Sequence, residues 1–248
     1  QYLHMPIHYV KSTSDWNENL SRNPDRGNIL QGEEFIDQKT DAGWAARFIS
    51  TDTIAMAAIE KHIPFLGKVW YMPKGPGVTT KQELQSLLPE LTSFAKKQGV
   101  FSIKIEPEID HTVDLSDLGL IKTRAVQANA STVLIDLSPD LETILANLNQ
   151  KGRHALRRAE RDGVTVKKVT PTDENCEIMF NLLSETAQGA GFAIRSPQYY
   201  KSFYHRYKDN GGLFFAYFEG RVVAGAFAMV QGEKSIYKDG ASVRERPA

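Results

Sequence analysis

The sequence has 248 residues, enough for one large domain or for two modules of about 120 residues each. Its 30 basic and 30 acidic side chains balance, which argues against binding nucleic acid through bulk charge but leaves a local basic patch open. Cys176 is the only cysteine, so an intrachain disulfide is excluded, and no run approaches the roughly 20 apolar residues that span a bilayer.

The chain opens on QYLHMPIHYV, which has neither the basic and apolar regions nor the cleavage site of a signal peptide. We therefore expect a cytoplasmic protein. Hydrophobic patterning then predicts the elements of the first half in this order: a strand at 5–10, a helical stretch at 29–42, strands at 44–49, 53–63 and 68–73, a helix at 80–98, a strand at 100–107, a short helical turn at 114–119 and a strand at 132–137.

The second half of the chain begins with the same order again. Its predicted elements are a helix at 139–162, a strand at 164–169, helices near 172–189 and 197–208, two strands within 213–230 and a third strand at 234–242. Glu219–Gly220 suits a two-residue hairpin turn. Strand, two helices and three antiparallel strands thus occur twice, which predicts an α/β protein with mixed α+β sheets built from two copies. A mixed α/β protein without internal duplication is the alternative.

This order resembles the GNAT acyltransferase fold. Two such modules in tandem, joined by a basic helix, resemble the FemABX family of aminoacyltransferases, which build the interpeptide bridge of peptidoglycan. The resemblance is carried best by DLSPDLETILANLNQKGRHALRRAERDGVTV (136–166), with further matches at 39–49, 70–78 and 217–242. It implies a first GNAT-like module at 1–137, a basic connecting helix at 138–163 that opens the second module, and the first half only of that module at 164–248.

The segment 147–163 gathers basic residues on one short element. Ser138 suits the N-cap and Pro139 the first position of a helix, and the apolar residues that follow fall on one stripe, so we predict one continuous helix packed along that stripe. The cations are Lys151, Arg153, Arg157, Arg158 and Arg161. They fit either a solvated face or a phosphate-rich partner. The resemblance implies the partner, with aminoacyl-tRNA as donor.

Glu106 is the candidate catalytic residue, because a carboxylate that ends an apolar strand can accept a proton. The alternative is a partly exposed strand-end carboxylate without a role. Transfer from an aminoacyl ester to an amine needs no serine or cysteine nucleophile, and the sequence has no G-x-S-x-G motif. The resemblance implies a base at Glu106 and a substrate contact at Phe101, where family members carry tyrosine. The six histidines are scattered, so we expect no metal site. We also expect no cofactor.

The acceptor side rests on the resemblance. It implies that Lys39 meets the substrate diphosphate, that Arg195 and Tyr199 form an Arg-x-x-x-Tyr pair for substrate, and that Tyr237 is a further substrate tyrosine. Cations for phosphates and aromatic hydroxyls for sugar or peptide make chemical sense as a set. The alternatives are that Lys39 is an ordinary surface lysine and that Tyr199 packs in the core while Tyr200 is the exposed partner.

The loop MPKGPG (72–77) stands where CoA-dependent GNAT enzymes grip pyrophosphate with backbone N–H groups. Gly75 and Gly77 fit that spacing, but Met72 replaces Arg or Gln and Pro76 removes a donor. The equivalent loop of the second module would begin at Arg244, where RERPA has no glycine. Both departures disfavour CoA, and an ordinary turn is the alternative for the loop.

The leading hypothesis is therefore an aminoacyltransferase that moves an amino acid from aminoacyl-tRNA to the stem-peptide amine of a peptidoglycan precursor. The acceptor would be UDP-linked or lipid-linked, and a lipid-linked acceptor implies peripheral membrane association without a transmembrane segment. The alternatives are an acyl-CoA-dependent N-acyltransferase and, because the second module looks incomplete, a non-catalytic binding fragment.

Overall fold

Contacts within the chain divide it into two units. The structure, a computed structural model, describes residues 6–127 and 132–243. One unit comprises Gln1–Ala128 with Met229–Ile236, and the other comprises Asn129–Ala228 with Tyr237–Ala248. The division predicted from the sequence, into 1–137, 138–163 and 164–248, has different bounds from these two units and stays a prediction. Within the described part of the chain, no helix is both long and apolar enough to cross a bilayer.

The first unit contains a five-stranded sheet and the helices α1 (Trp16–Ser21), α2 (Glu33–Thr40) and α3 (Lys81–Lys97). The strands lie in the order β1 (His8–Tyr9), β2 (Ala45–Ser50), β3 (Ala55–Ile63), β4 (Gly67–Met72) and β5 (Val100–Ile105). Neighbouring strands are antiparallel except β4 and β5, which are parallel because α3 carries the chain back across the sheet. This mixed sheet confirms the predicted α/β class.

Most predicted elements of the first unit are confirmed, but several differ in extent or type. The stretch predicted as helical at 29–42 divides into a 3-10 turn at Ile29–Gln31 and α2, and α1 was not predicted. The strand predicted at 5–10 is two residues long, and Met5 lies outside the described residues. The helical turn predicted at 114–119 is a 3-10 turn at Ser116–Leu118.

Helix α3 shows how local sequence determines this part of the fold. The Thr80 hydroxyl accepts a hydrogen bond from the Glu83 N–H at 3.2 Å, and the Glu83 carboxylate accepts one from the Thr80 N–H at 3.1 Å. This capping box satisfies N–H groups that a helix start leaves unpaired. One face of α3, which includes Leu84, Leu87 and Leu91, packs in a core with the tryptophan and methionines of β3 and β4.

Strands β3 and β4 separate towards the start of β3, because their pairing covers only Ile59 to Ile63 on the β3 side. There the backbone of β3 forms hydrogen bonds with two buried amide side chains instead of with β4. Asn23 exchanges two hydrogen bonds of 2.8 Å with the backbone of Ala55. Gln31 accepts from the Ala57 N–H at 2.7 Å and donates to the carbonyls of Ala57 and Pro73 at 3.0 and 2.8 Å. Gln31 thereby ties the loop after β4 to β3.

The second unit repeats part of the order of the first. It contains α4 (Leu141–Asn147), α5 (Gln150–Arg161), α6 (Asp173–Ala190) and α7 (Pro197–Arg206), with a sheet in the order β6 (Thr165–Val169), β7 (Gly211–Phe218), β8 (Arg221–Gln231) and β9 (Lys234–Ser242). Residues 229–236 of β8, β9 and their turn belong to the first unit. From β6 onward the order is strand, two helices and three strands, as predicted. The GNAT-like interpretation stays a prediction that this repeated order supports.

The strand predicted at 132–137 is wrong. The chain there has no regular structure, and Val133 and Leu134 are 84% and 89% exposed. The run is rich in residues that favour strands, but a strand needs a partner, and none of the described strands pairs with it. High β-propensity alone therefore did not decide the local structure.

The single helix predicted at 139–162 is also wrong, because two helices occupy it. Leu148 and Asn149 are extended between α4 and α5. The Asn149 side chain accepts a hydrogen bond from the Gly152 N–H at 2.8 Å and caps a new helix, and Asp140 rather than Ser138 caps α4. The stripe expected to be packed is not buried: neither α4 nor α5 has a buried residue.

Candidate functional site

The Glu106 carboxylate lies directly after β5 and is held on both oxygens. Its Oε2 accepts a hydrogen bond of 2.6 Å from the Tyr71 hydroxyl, and its Oε1 accepts one of 2.6 Å from the Val126 N–H. The Glu106 N–H donates to the Gly75 carbonyl at 2.8 Å. The parallel pairing of β4 with β5 places Tyr71 beside the end of β5. A half-buried carboxylate is thus fixed in one orientation at the end of a parallel strand pair.

The Tyr71 hydroxyl acts as a donor in this arrangement. Burial, and then the hydrogen bond to Glu106, raise the pKa of Tyr71 far above its usual value, so the phenol keeps its proton at any working pH. Its oxygen also accepts a hydrogen bond of 3.1 Å from the Gln127 amide. Each carboxylate oxygen has two lone pairs, so Glu106 can accept a proton without losing either contact. Tyr71 and Gln127 were not predicted from the sequence.

Lys39 and Phe101 lie at the other end of the same sheet. Phe101 interrupts the register at the start of β5, and Glu106 follows five residues later, roughly 16 Å along the strand. The Lys39 ammonium lies 4.5 Å from the centre of the Phe35 ring, and the Lys39 carbonyl accepts from the Trp44 N–H just before β2 begins. The structure therefore brings Lys39 and Phe101 to one end of the sheet and leaves Glu106 at the other.

The glycines of the loop at 72–77 are explained by packing inside the first unit. A Cβ on Gly75 would lie 2.8 Å from the Gln31 side chain, and one on Gly77 would lie 2.1 Å from the Asn23 amide. Gly75 and Val78 use their N–H groups within the loop, on the carbonyls of Met72 and Pro76. These two donors are not available to a pyrophosphate. Arg244, at the start of the equivalent loop predicted for the second module, lies outside the described residues.

In the second unit, α7 presents Tyr199 at the surface and buries Tyr200. Tyr199 is half-buried and stacks on Phe203 with ring centres 6.2 Å apart, and burial raises its pKa although the exposed Arg195 opposes that shift. Tyr200 is 7% exposed. The alternative in which Tyr199 packs in the core and Tyr200 is exposed is therefore wrong. Tyr199 and Arg195 remain available for the predicted substrate role.

Tyr237 is 71% exposed on β9 and lines an open groove of about 460 Å³ on the sheet of the second unit. Its ring lies over Gly240, where a Cβ would come within 1.4 Å of the tyrosine oxygen, so only glycine permits this rotamer. Beside it, the Asp239 carboxylate accepts from the Tyr204 hydroxyl at 3.2 Å and from the Lys238 ammonium at 2.9 Å. Asp239 was not predicted from the sequence, although it directly follows Tyr237 and Lys238.

The basic residues of α5 are not equivalent. Arg153 donates to the carbonyls of Ala146, at 2.9 Å, and Leu148, so it caps the end of α4. Arg158 and Arg161 share the Asp162 carboxylate at 3.2 and 3.8 Å. Lys151 and Arg157 are exposed. In the part of the chain that the structure describes, no three or more His, Cys, Asp or Glu side chains group to hold a metal ion.

Comparison with known families and structures adds to this geometry. The FemAB family model matches residues 13–132 and 120–222. The chain belongs to the FemAB family. The predicted residues Lys39, Phe101 and Glu106 lie in the first matched range and those from Lys151 to Tyr199 in the second, whereas Tyr237 lies beyond both. The roles predicted for these residues stay predictions.

Relatives of this FemAB-family chain include lipid II:glycine glycyltransferases. The protein of that name from Staphylococcus saprophyticus is 25% identical over 207 residues, which are 75% of this chain and 49% of the relative. The one from Staphylococcus aureus MRSA252 is 23% identical over 214 residues, which are 77% of this chain and 50% of the relative. The chain thus spans about half the length of the curated relatives it matches.

Solved structures share the fold of this FemAB-family chain. The crystal structure of FemX matches with a TM-score of 0.78 at 18% identity, covering 97% of this chain and 81% of FemX. A conserved protein of unknown function from Bacteroides thetaiotaomicron VPI-5482 matches with a TM-score of 0.52 at 14% identity, covering 96% and 80%. At these identities the likeness concerns the fold alone.

Proposed function

We propose that this chain takes part in aminoacyl transfer from aminoacyl-tRNA to the stem-peptide amine of a peptidoglycan precursor. Membership of the FemAB family and the name of the glycyltransferase relatives support amino-acid transfer in cell-wall synthesis. The observation that carries the proposal is the Glu106 carboxylate, fixed by Tyr71 and the Val126 N–H at the end of β5. We propose that this carboxylate takes a proton from the attacking amine.

The reaction needs little more than positioning and a base. The stem-peptide ammonium loses a proton to Glu106, and the free amine attacks the ester carbonyl of the aminoacyl group. A C–N bond forms and the ester C–O bond breaks. The attacking nitrogen passes its second proton to the departing ribose oxygen, which leaves as the hydroxyl of the tRNA, and Glu106 releases the first proton to solvent. Tyr71 keeps its own proton throughout and holds Glu106 in place, so it acts as a positioning residue.

An extended acceptor fits the first unit. Lys39 and Phe101 lie at one end of the sheet and Glu106 at the other, roughly 16 Å away along β5. A precursor that carries its diphosphate at one end and its reactive amine at the other needs such a separation. In the second unit we propose substrate roles for Arg195, Tyr199 and Tyr237, which offer a cation and two phenols at the surface.

The CoA-dependent alternative finds less support. Asn23 and Gln31 fill the space beside Gly75 and Gly77, and two N–H groups of this loop already bond within it. A pyrophosphate would have to displace those contacts.

The proposal is tested by offering the purified protein charged tRNAs together with lipid II or the UDP-linked muropeptide. We expect the labelled amino acid to appear on the precursor, with no product when the tRNA is uncharged or when acetyl-CoA replaces it. Binding of acetyl-CoA in calorimetry, without transfer from any charged tRNA, would support the alternative instead.

The basic residues of α5 provide a second prediction. Replacing Lys151 and Arg157 by glutamine is expected to weaken tRNA binding. It should also make the fall of the log binding constant with log salt concentration shallower by about two units, one for each lost phosphate contact. The measurement is a salt titration of tRNA binding.

The matched control replaces Lys167 and Lys168, which are exposed on β6, by glutamine. It removes the same charge from another surface and should leave the slope unchanged. Equal slopes for the unchanged protein, the α5 variant and the β6 control would mean that the basic residues of α5 form only a solvated face. Arg153→Gln is a separate test, since it should loosen the end of α4 through the lost carbonyl contacts.

A further inference from the structure

The turn between β3 and β4 exposes apolar side chains. Phe65 is 106% exposed and Leu66 is 63% exposed. Phe101, at the start of β5, is 51% exposed and lies beside the turn, because a Cβ on Gly67 would be 3.7 Å from its ring. Neighbouring large apolar side chains in solvent indicate a surface that meets another apolar phase.

The backbone of this turn holds the Phe65 ring outward. Phe65 has a φ of +64°, a conformation that is rare for a bulky residue, and the Leu66 N–H donates to the Ile63 carbonyl at 3.1 Å. The other hairpin turns among the described residues are polar: they carry Thr51–Thr53, Glu219–Gly220 and Gly232–Glu233. An outlying backbone conformation at the one apolar turn of this group suggests that the exposure is functional.

Basic side chains surround this turn. Lys61 and Lys68 flank it in sequence, and the end of α3, with exposed Lys96 and Lys97, reaches it because the Lys68 N–H donates to the Gly99 carbonyl at 3.1 Å. The sequence has no Asp or Glu from 61 to 68 or from 96 to 105.

The nearest carboxylate along β3 is already neutralised. Glu60 is buried, with one oxygen 2.7 Å from Arg47 and the other 2.7 Å from the Trp70 indole nitrogen. Lys68 lies 3.9 Å from the same carboxylate. The charged side chains that flank Phe65 and Leu66 in sequence, and those at the end of α3, are therefore basic.

We propose that this turn patch, formed by Lys61, Phe65, Leu66, Lys68, Lys96 and Lys97, docks the first unit on an anionic lipid bilayer. Phe65 and Leu66 enter the boundary between headgroups and acyl chains, and the lysines contact the lipid phosphates. Apolar side chains ringed by lysine are the composition that binds this interface. The patch lies at the same end of the sheet as Lys39 and Phe101, so a lipid-linked acceptor would present its diphosphate there. The inference itself rests on the chemistry of the turn, not on the proposed transfer.

Vesicle co-sedimentation tests the patch without any transfer reaction. The protein should bind mixed phosphatidylcholine–phosphatidylglycerol vesicles, bind pure phosphatidylcholine vesicles much less, and be released by salt. The double variant Phe65→Ser, Leu66→Ser should bind the mixed vesicles at least about tenfold more weakly than the unchanged protein. Lys96→Gln with Lys97→Gln should also weaken binding by about tenfold.

The control is Val133→Ser with Leu134→Ser, which removes an equally exposed apolar pair from the second unit and should leave vesicle binding unchanged. A Phe65→Trp variant should gain fluorescence that brominated lipids quench. The proposal is overturned if the protein does not bind anionic vesicles, or if the Val133 and Leu134 substitutions weaken binding as much as those of Phe65 and Leu66. It is also overturned if brominated lipids do not quench the fluorescence of the new tryptophan. Vesicle binding without transfer activity would leave this proposal standing and count only against the proposed function.

Discussion

Replacing Glu106 by glutamine should slow amino-acid transfer by about a hundredfold or more, because a positioned general base typically contributes that much. Glutamine keeps the size of the side chain and can still accept from the Val126 N–H, but its amide cannot accept a proton from the amine. The loss should therefore fall on kcat, with little change in KM or in thermal stability. Single-turnover transfer assays and a thermal melt of the same preparation measure both.

The matched control is Glu108→Gln, the same substitution two residues along the chain. Glu108 is exposed and pairs with Lys234 at 3.2 Å, so the change removes a surface charge pair of small energetic value and should leave transfer unaltered. Tyr71→Phe is an intermediate case. It removes the donor that orients Glu106 while leaving the carboxylate, and should slow transfer by about tenfold. Undiminished turnover in Glu106→Gln would remove this carboxylate from the mechanism.

Elements defined by neighbouring residues could be predicted from the sequence. In α3, Thr80 and Glu83 mark the start and the leucines mark the buried face, all within one segment. The turn at Glu219–Gly220 is likewise local, since both residues take positive φ as a tight hairpin turn requires. These signals need no knowledge of the rest of the chain.

Elements that depend on distant partners could not be predicted in the same way. The apolar run at 132–137 looks like a strand, but whether it forms one depends on a partner strand elsewhere in the chain. The break between α4 and α5 has a local signal in Asn149, whose side chain caps α5, although the apolar stripe continues across it. In this chain a capping residue inside a periodic pattern marks a helix boundary.

The residues of the candidate site also differ in whether a local sequence signal or a distant contact defines them. Glu106 could be predicted because its position at the end of an apolar strand is visible in the sequence. Tyr71 could not, because it meets Glu106 only through the parallel pairing of β4 and β5 across the α3 crossover. Gln31 and Asn23, which explain Gly75 and Gly77, are more than 40 residues away from those glycines in sequence.

Gln31→Leu is expected to lower the free energy of unfolding by about 3 kcal/mol or more, the largest stability effect that we predict. Gln31 is fully buried, and its side chain makes three hydrogen bonds with the backbone of Ala57 and Pro73. Leucine fills a similar volume but leaves one buried N–H and two buried carbonyls without their partner. Urea unfolding should show a lower midpoint with an unchanged slope.

The same substitution on the surface, Gln85→Leu on α3, separates hydrogen bonding from the effect of leucine itself and should change stability by less than about 0.5 kcal/mol. A similarly small effect of Gln31→Leu would mean that Ala57 and Pro73 find other partners. Because Gln31 holds the Pro73 carbonyl, and Gly75 two residues later accepts from the Glu106 N–H, the variant should also loosen the support of Glu106. We therefore expect slower transfer from whatever fraction of Gln31→Leu remains folded, which links the separation of β3 from β4 to the placement of Glu106.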